Sequence, residues 1–327
     1  MPSPVELTLI DRWQHDFPLV EQPFEIVGRS AALQQADTIR LFQNMRERKV
    51  LSRIGAVVRP NTVGASTLAA MEVPPERLEE VADLVSGEPL VTHNYEREHR
   101  LNLWFVAAGA DAKAVSTTLR RIAARTGIEV IDLPMQRAYH LGLGFPLQGD
   151  APRRAAGNGR RADYSPQAQD RRILAAIEDG LPLVERPYRA VADELQVRED
   201  DVIGRLEHLI AAGVVTRFGC VVRHDKLGYR ANAMAVWDVP DELVDDVAAM
   251  FARHPAVTLC YRRPRRLPHW PYNLFCMVHA KSRDEAYAVI DDVNLQADMG
   301  LYRQTVLFSS RCFKQRGAVF SNGGGRN

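Results

Sequence analysis

The sequence predicts an α+β protein built as two tandem copies of one unit. Each unit is a winged helix-turn-helix followed by a ferredoxin-like (RAM-like) α/β sandwich. Two observations carry this. The stretch "PLVEQPF" at 18–24 returns as "PLVERPY" at 182–188, and at the same shift "RIGAVVRPNTVG" (53–64) lies over "RFGCVVRHDKLG" (217–228). A period of about half the chain marks a duplicated domain, not a solenoid. The second observation is that apolar periodicity in each copy changes from helical spacing to strand alternation.

The second copy shows the elements most clearly. "RRILAAIEDGLPL", "YRAVADELQV" and "REDDVIGRLEHLIAAGVV" read as three helices, the third stopping at Gly213, and "VTRFGCVVR" as the wing strand. Next come a strand "YRANAMAVWDVP", a helix "DELVDDVAAMFARHPAV", a strand "NLFCMVHAK", a helix "RDEAYAVIDDVN" and a strand "GLYRQTVLFSSR". That β-α-β-α-β order, with a leading strand, reads as ferredoxin-like. The first copy follows the same order with weaker signals. The predicted boundaries are 1–58 and 59–149 for the two parts of the first copy, 167–222 and 223–320 for the second. Residues 321–327 read as a tail. Between the copies "DAPRRAAGNGRRADYSP" (150–166) has no apolar periodicity and reads as an exposed linker whose four arginines are solvated.

The totals exclude several classes. The chain has 327 residues, net charge +1, 46% apolar and 25% charged residues, ordinary values for a globular protein and too neutral for a dedicated nucleic-acid binder. No apolar run is long enough to cross a bilayer, and the start does not read as a signal peptide, so a cytoplasmic protein is expected. Four cysteines without CxxC spacing predict free thiols, not a disulfide framework or a zinc site.

Unusual chemistry gathers in the sandwich parts. "VTHNYEREHRLNLWF" (91–105) pairs with "VTLCYRRPRRLPHWPYNLFC" (257–276), the second carrying five extra residues, and each reads as a loop running into a strand. The first offers His93, Tyr95, Arg97, His99, Asn102 and Trp104. The second offers Tyr261, Arg262, Arg263, Arg265, Arg266, His269, Trp270, Tyr272 and Asn273. Arginine forks beside aromatic faces suit a flat ligand carrying many carboxylates. The competing reading is a solvated basic loop. The repetition of Tyr-x-Arg and Asn-Leu in both copies, across a length change, favours the ligand site. Near the ends of the copies "QRAYH" (136–140) lies over "SRCFK" (310–314), so Lys314 takes the place of His140 and Arg311 joins the basic set.

The two-part architecture resembles the Lrp/AsnC regulators, which makes a DNA-binding, tetrapyrrole-sensing regulator the alternative function. The third helix of the second copy speaks against it. Glu199, Asp200, Asp201 and Glu207 outnumber Arg198 and Arg205, and carboxylates repel a phosphate backbone. No functional DNA binding is expected.

The motifs "HNYERE…NLWF", "CYRRP…WPYNLF", "RAYHLGLGFPL" and "PLVE-x-P" are similar to those of the siroheme decarboxylases, in particular the fused D/L type of heme d1 assembly. The likeness spans the chain apart from the linker and tail. One departure is Leu259, where related second-half domains tend to carry His. The resemblance implies a non-oxidative carboxy-lyase that removes two acetate carboxyl groups from siroheme, giving 12,18-didecarboxysiroheme. It implies no cofactor beyond the substrate's own iron. It also implies that two related subunits are here joined in one chain, pairing with each other; whether the chain dimerises stays open.

Histidine suits the acid that such chemistry needs. The proton carrier is sought among His93, His140, His269 and Lys314. His93, His140 and His279 are candidates for ligating the substrate iron. The tyrosines, arginines, Asn102, Asn273, Trp104, Trp270 and His99 form the predicted substrate-binding set.

Overall fold

The computed structural model describes residues 2–142, 164–223 and 227–317. The first copy runs α1 (Pro4–Arg12), α2 (Pro23–Arg29), α3 (Gln35–Glu47), β1 (Leu51–Val58), β2 (Ala65–Met71), α4 (Leu78–Gly87), β3 (Val91–Arg97), β4 (Leu103–Gly109), α5 (Ala112–Thr126), β5 (Ile131–Pro134) and β6 (Arg137–Leu141). The second runs α6 (Ala168–Ala176), α7 (Pro187–Leu195), α8 (Glu199–Ala211), β7 (Val215–Val222), β8 (Ala231–Trp237), α9 (Val244–Phe251), β9 (Val257–Arg262), β10 (Leu274–Ala280), α10 (Arg283–Gln296) and β11 (Gln304–Gln315).

The sandwich order is therefore β-α-β-β-α-β, which corrects the expected one. Residues 91–97 and 257–262 are strands where the sequence suggested loops. Their alternation was hidden because both faces carry polar side chains. The expected linker falls almost wholly, and the expected tail entirely, outside the described residues.

Local chemistry sets the helix ends. Ser3 and Glu6 form a capping box at α1, with Ser3 Oγ accepting from the Glu6 N–H at 3.3 Å and Glu6 Oε2 from the Ser3 N–H at 2.7 Å. Asp111 and Ser282 cap α5 and α10 by accepting from Ala114 N and Glu285 N. The prolines of the repeated "PLVE-x-P" turn, Pro23 and Pro187, open α2 and α7, where the missing N–H costs nothing.

The chain divides into two compact units that do not follow the repeat: Met1–Val63 with Gly144–Gly228, and Gly64–Leu143 with Tyr229–Asn327. In the first unit the two winged helices interlock. β1 and β7 pair antiparallel with Gly55 opposite Gly219. Leu181 N–H donates to Ile54 O (2.7 Å), and Cys220 N–H to Trp13 O (2.8 Å), so each wing strand rests on the other copy's first turn. The repeated turns meet as well, with Arg186 2.8 Å from Glu21 and Tyr188 donating to Pro18 O at 2.7 Å. Their role is structural.

The third helices of this unit are poorly furnished for a nucleic-acid groove. Gln35 and Gln43 of α3 donate to Glu185 O and Leu183 O of the other copy, both at 3.1 Å. In α8, Arg205 is drawn inward to the fully buried Asp170, which leaves Asp200, Asp201 and Glu207 exposed beside Arg198.

The second unit is built on one nine-stranded antiparallel sheet in the order β5-β2-β4-β3-β11-β8-β10-β9-β6. Its end strands β5 and β6 are separated in the chain only by Met135 and Gln136, so the sheet curls until first and last strands are consecutive. The last strands are exchanged between copies. β11 pairs first with β8 through Gln304–Phe308, then crosses to β3 of the first copy through Ser309–Gln315; β6 pairs with β9 of the second. On the outer face α4 and α5 cover an apolar layer that includes Val91, Phe105 and Ile122. α9 and α10 cover another that includes Trp237, Phe251 and Cys260. The inner face holds a single cluster drawn from both copies, including Leu68, Trp104, Leu133, Met234, Tyr261, Trp270, Phe275 and Leu307. Full burial of such side chains contributes about 1.5–3 kcal/mol each.

Candidate active site

Alternation along β3 decides which of the predicted residues can meet. Asn94 donates to Ala82 O and Ser86 Oγ, both at 3.0 Å, and so faces the helices. A bulge between Val91 and His93 turns His93, Tyr95 and Arg97 to the inner face, opposite Val106 and Trp104 of β4. β9 does the same with Leu259 and Tyr261, followed by Arg263, while Cys260 points into the helix-side core.

Arg97 and Arg263 are the dominant feature of that inner face. Each is only 6% exposed. Arg97 Nη1 donates to Leu307 O at 2.9 Å and Arg263 Nη1 donates to Leu133 O, each reaching across to the other copy at repeat-equivalent positions. Their guanidinium carbons lie 5.8 and 4.6 Å from the ring centres of Tyr95 and Tyr261. Among the described residues neither has an ion pair, and Arg263 Nε has no acceptor. Burial pushes Arg97 down to about 10 and lowers Arg263, yet both remain charged at neutral pH. Buried cations without counter-ions are costly. Two of them in one apolar interior suit an anionic ligand.

Each copy docks one imidazole on an equivalent threonine. His93 Nδ1 lies 3.0 Å from Thr92 Oγ1, which also reaches Val106 O at 3.3 Å. His279 Nδ1 lies 2.9 Å from Thr258 Oγ1, which donates to Met277 O at 2.9 Å. A hydroxyl that gives its one proton to a carbonyl must accept from Nδ1–H, which assigns the neutral ring's acceptor lone pair to Nε2. The copies differ in source: β3 supplies the imidazole in one and β10 in the other, where Leu259 replaces the β3 histidine. The repeated "VT" at 91–92 and 257–258 is the sequence signal for these threonines.

The five-residue insert folds back on itself, Arg266 and Trp270 exchanging backbone hydrogen bonds of 2.7 Å. This buries Trp270 completely against Trp104 (4.9 Å), Tyr272 (4.9 Å) and His99 (5.6 Å), with its indole N–H lacking an acceptor. Trp104 donates instead to Leu101 O at 2.6 Å. Burial, with Arg100 nearby, lowers the pKa of His99. His269 sits exposed on the insert.

Other predicted residues are held elsewhere. Asn102 and Asn273 each bracket a backbone, donating to Val73 O (2.8 Å) and Val239 O (2.9 Å) and accepting from the same residues' N–H groups. Arg262 pairs with Asp241, Arg265 with Asp238 and Asp241, and Arg311 with Glu79. Arg266 Nε donates to Asp132 O at 2.8 Å. Lys314 Nζ donates to Ser86 O (2.5 Å) and Glu88 O (3.2 Å) at the end of α4. His140 lies opposite Cys260 in the ladder just as Lys314 lies opposite Asn94, and both partners face the helices. Directly opposed residues share a face, so the ladder separates His140 and Lys314 from His93.

Comparison with known proteins gives a consistent set of likenesses. Residues 6–51 and 170–215 match the family described as the siroheme decarboxylase NirDL-like HTH domain, and residues 63–140 and 226–314 match the AsnC-like ligand binding domain. The siroheme decarboxylase NirDL subunit of Paracoccus denitrificans is 42% identical over 97% of this chain and 97% of its own. The separate NirL and NirD subunits of Stutzerimonas stutzeri match 47% and 42% of this chain, at 42% and 43% identity, each over 91% of its own length. The crystal structure of a siroheme decarboxylase NirDL superposes with a TM-score of 0.69 at 28% identity, covering 96% of this chain and 93% of that one. The NirDL structure in co-complex with an iron-uroporphyrin III analogue gives a TM-score of 0.67 at the same identity and coverage.

Proposed function

The chain belongs to the siroheme decarboxylases of the fused NirDL type, and from that membership we propose how its own residues serve the reaction. It decarboxylates siroheme. We propose a non-oxidative carboxy-lyase that removes two acetate carboxyl groups and yields 12,18-didecarboxysiroheme. Each event breaks one C–C bond, releases CO₂ and replaces the carboxylate by a proton, turning an acetate arm into a methyl group. The electron pair left on the methylene carbon passes into the ring, and no oxidant enters the balance. Protonation of a ring carbon creates the sink for that pair, and loss of the same proton restores the ring.

The observation that carries this reading is the pair of buried guanidiniums without ion pairs among the described residues, Arg97 and Arg263, on the inner face that also holds His93 and His279. The arginines hold carboxylates that stay and so orient the macrocycle. Tyr95, Tyr261 and the buried tryptophans provide a dry, flat wall. An acetate bound against that wall, not in an ion pair, can lose its charge as CO₂. His93 and His279 carry the protons, one from each copy, and either Nε2 is also suited to the substrate iron. A positioned acid contributes about 10²- to 10⁴-fold. That NirD and NirL exist as separate chains in a relative supports reading the two copies as partners fused in one chain.

Purified chain given siroheme without oxygen or a redox partner should yield a product lighter by two CO₂. An unchanged mass, in folded protein with siroheme bound, would refute the activity. The regulator alternative has no support from the acidic surface of α8.

A further inference from the structure

A second pair of arginines, Arg217 buried and Arg53 half-buried, lies in the other unit, far in sequence from the residues above. Arg53 and Arg217 hold equivalent places in the repeated R-x-G-x-V-V-R motif. The β1–β7 register puts Arg53 opposite Val221 and Arg217 opposite Val57, with Gly55 opposite Gly219 midway between. All six residues share one face of the ribbon, and the arginines stand at opposite ends of its diagonal. The glycines leave no side chain between them. Arg53 curls toward the centre, its Nη2 3.4 Å from Ala56 O.

Arg217 is only 7% exposed, and its Nε and Nη1 have no acceptor. No hydrogen bond or ion pair to its side chain occurs among the described residues. The Trp13–Gln14 turn closes over this face so tightly that a Cβ on Gly219 would sit 2.4 Å from Gln14 O, and the Ile177–Gly180 turn lies over Gly55. Among the described residues Asp179, exposed, is the acidic group whose field reaches Arg53, and it makes no ion pair with it. Burial, with Arg53 nearby, lowers Arg217 to about 10. Both groups are nonetheless cations at neutral pH, so the ribbon holds two like charges that repel each other, one of them buried.

We propose that Arg53 and Arg217 bind one small oxyanion, a phosphate or a carboxylate, under the paired wing strands. Such an anion accepts the orphaned N–H groups of Arg217 and offsets the repulsion between it and Arg53. The site is separate from the inner face of the sheet and does not depend on siroheme.

Full-length chain, desalted into a buffer free of phosphate and carboxylate, is titrated with inorganic phosphate, with acetate and with chloride at matched ionic strength. Melting is followed by scanning fluorimetry and stoichiometry by calorimetry. The expected result is one phosphate or acetate per chain, with a rise in melting temperature of about 5 °C a hundredfold above the binding midpoint. Chloride should leave melting unchanged, and whichever of phosphate and acetate binds more tightly identifies the preferred oxyanion. Arg217→Met should melt above wild type in the anion-free buffer and lose the response. Arg53→Met should lose the response too, which covers the case in which Arg217→Met does not fold. Equal stabilisation by chloride, or an undiminished phosphate response in either variant, overturns the proposal.

Discussion

Replacing Arg263 by Met separates ligand binding from both folding and chemistry. The substitution keeps most of the side-chain volume and removes one buried charge. The apo protein loses the hydrogen bond to Leu133 O, about 0.5–1.5 kcal/mol, and the field of Asp132, but is relieved of a buried cation without an ion pair, whose penalty is several kcal/mol. The variant should therefore melt no lower than wild type, against the usual effect of a core substitution. Siroheme binding should move the other way. A charge-assisted contact to a carboxylate is worth about 1.5–3 kcal/mol. At about 1.4 kcal/mol per tenfold, this corresponds to a roughly 10- to 150-fold rise in Kd. An anaerobic absorbance titration with siroheme measures the binding, and single-turnover conversion at saturation should stay within a few fold of wild type. A Kd within threefold of wild type, or a loss of stability without any loss of affinity, would refute the assignment of Arg263 as a carboxylate anchor.

His93→Gln and His279→Gln should each slow single-turnover conversion by about 10²- to 10⁴-fold with little change in Kd. A divided role would leave a singly decarboxylated product, detectable by mass, and rates within tenfold of wild type in both variants would put the proton elsewhere. Asn273→Leu strands the Val239 N–H and should cost about 1–3 kcal/mol in urea unfolding, while folded protein binds siroheme as before. His99 has a pKa held below 6.5, chiefly by burial, so the unfolded chain takes up its proton first as pH falls. Stability should decline as pH drops below 6.5 toward the folded-state pKa, and His99→Gln should flatten that limb; parallel pH curves for the two proteins would contradict it.

The duplication and the two-part architecture were legible because they rest on long periodic segments and on repeated turns such as Pro23 and Pro187. The strands β3 and β9 were not. Asn94 and Glu96 on one side, and His93, Tyr95 and Arg97 on the other, give no apolar alternation to read. The importance of Arg97 and Arg263 followed from the repeat, but Arg262, Arg265 and Arg311 look the same in sequence. Only the fold brings Asp241, Asp238 and Glu79 to them. The choice among histidines turned on irregularities between Val91 and His93 and between Ala138 and His140, which decide the face each ring takes and leave no mark in the residue pattern. Strand exchange was equally invisible, since periodicity identifies a strand without naming its neighbour.

The exchanged strands β6 and β11 bear on how such a protein can be inherited. A lone copy would be left with unfilled sheet edges at β3 or β9, and such edges recruit any matching strand. Free copies could satisfy one another indiscriminately, like with like. Joining them in one polypeptide fixes the stoichiometry at one of each and makes the unlike pairing intramolecular, at a high effective concentration. Under that arrangement the copies are free to diverge. One can lose the β3-type histidine and take its imidazole from β10, and only the second needs the tryptophan insert, because neither will meet a twin of itself.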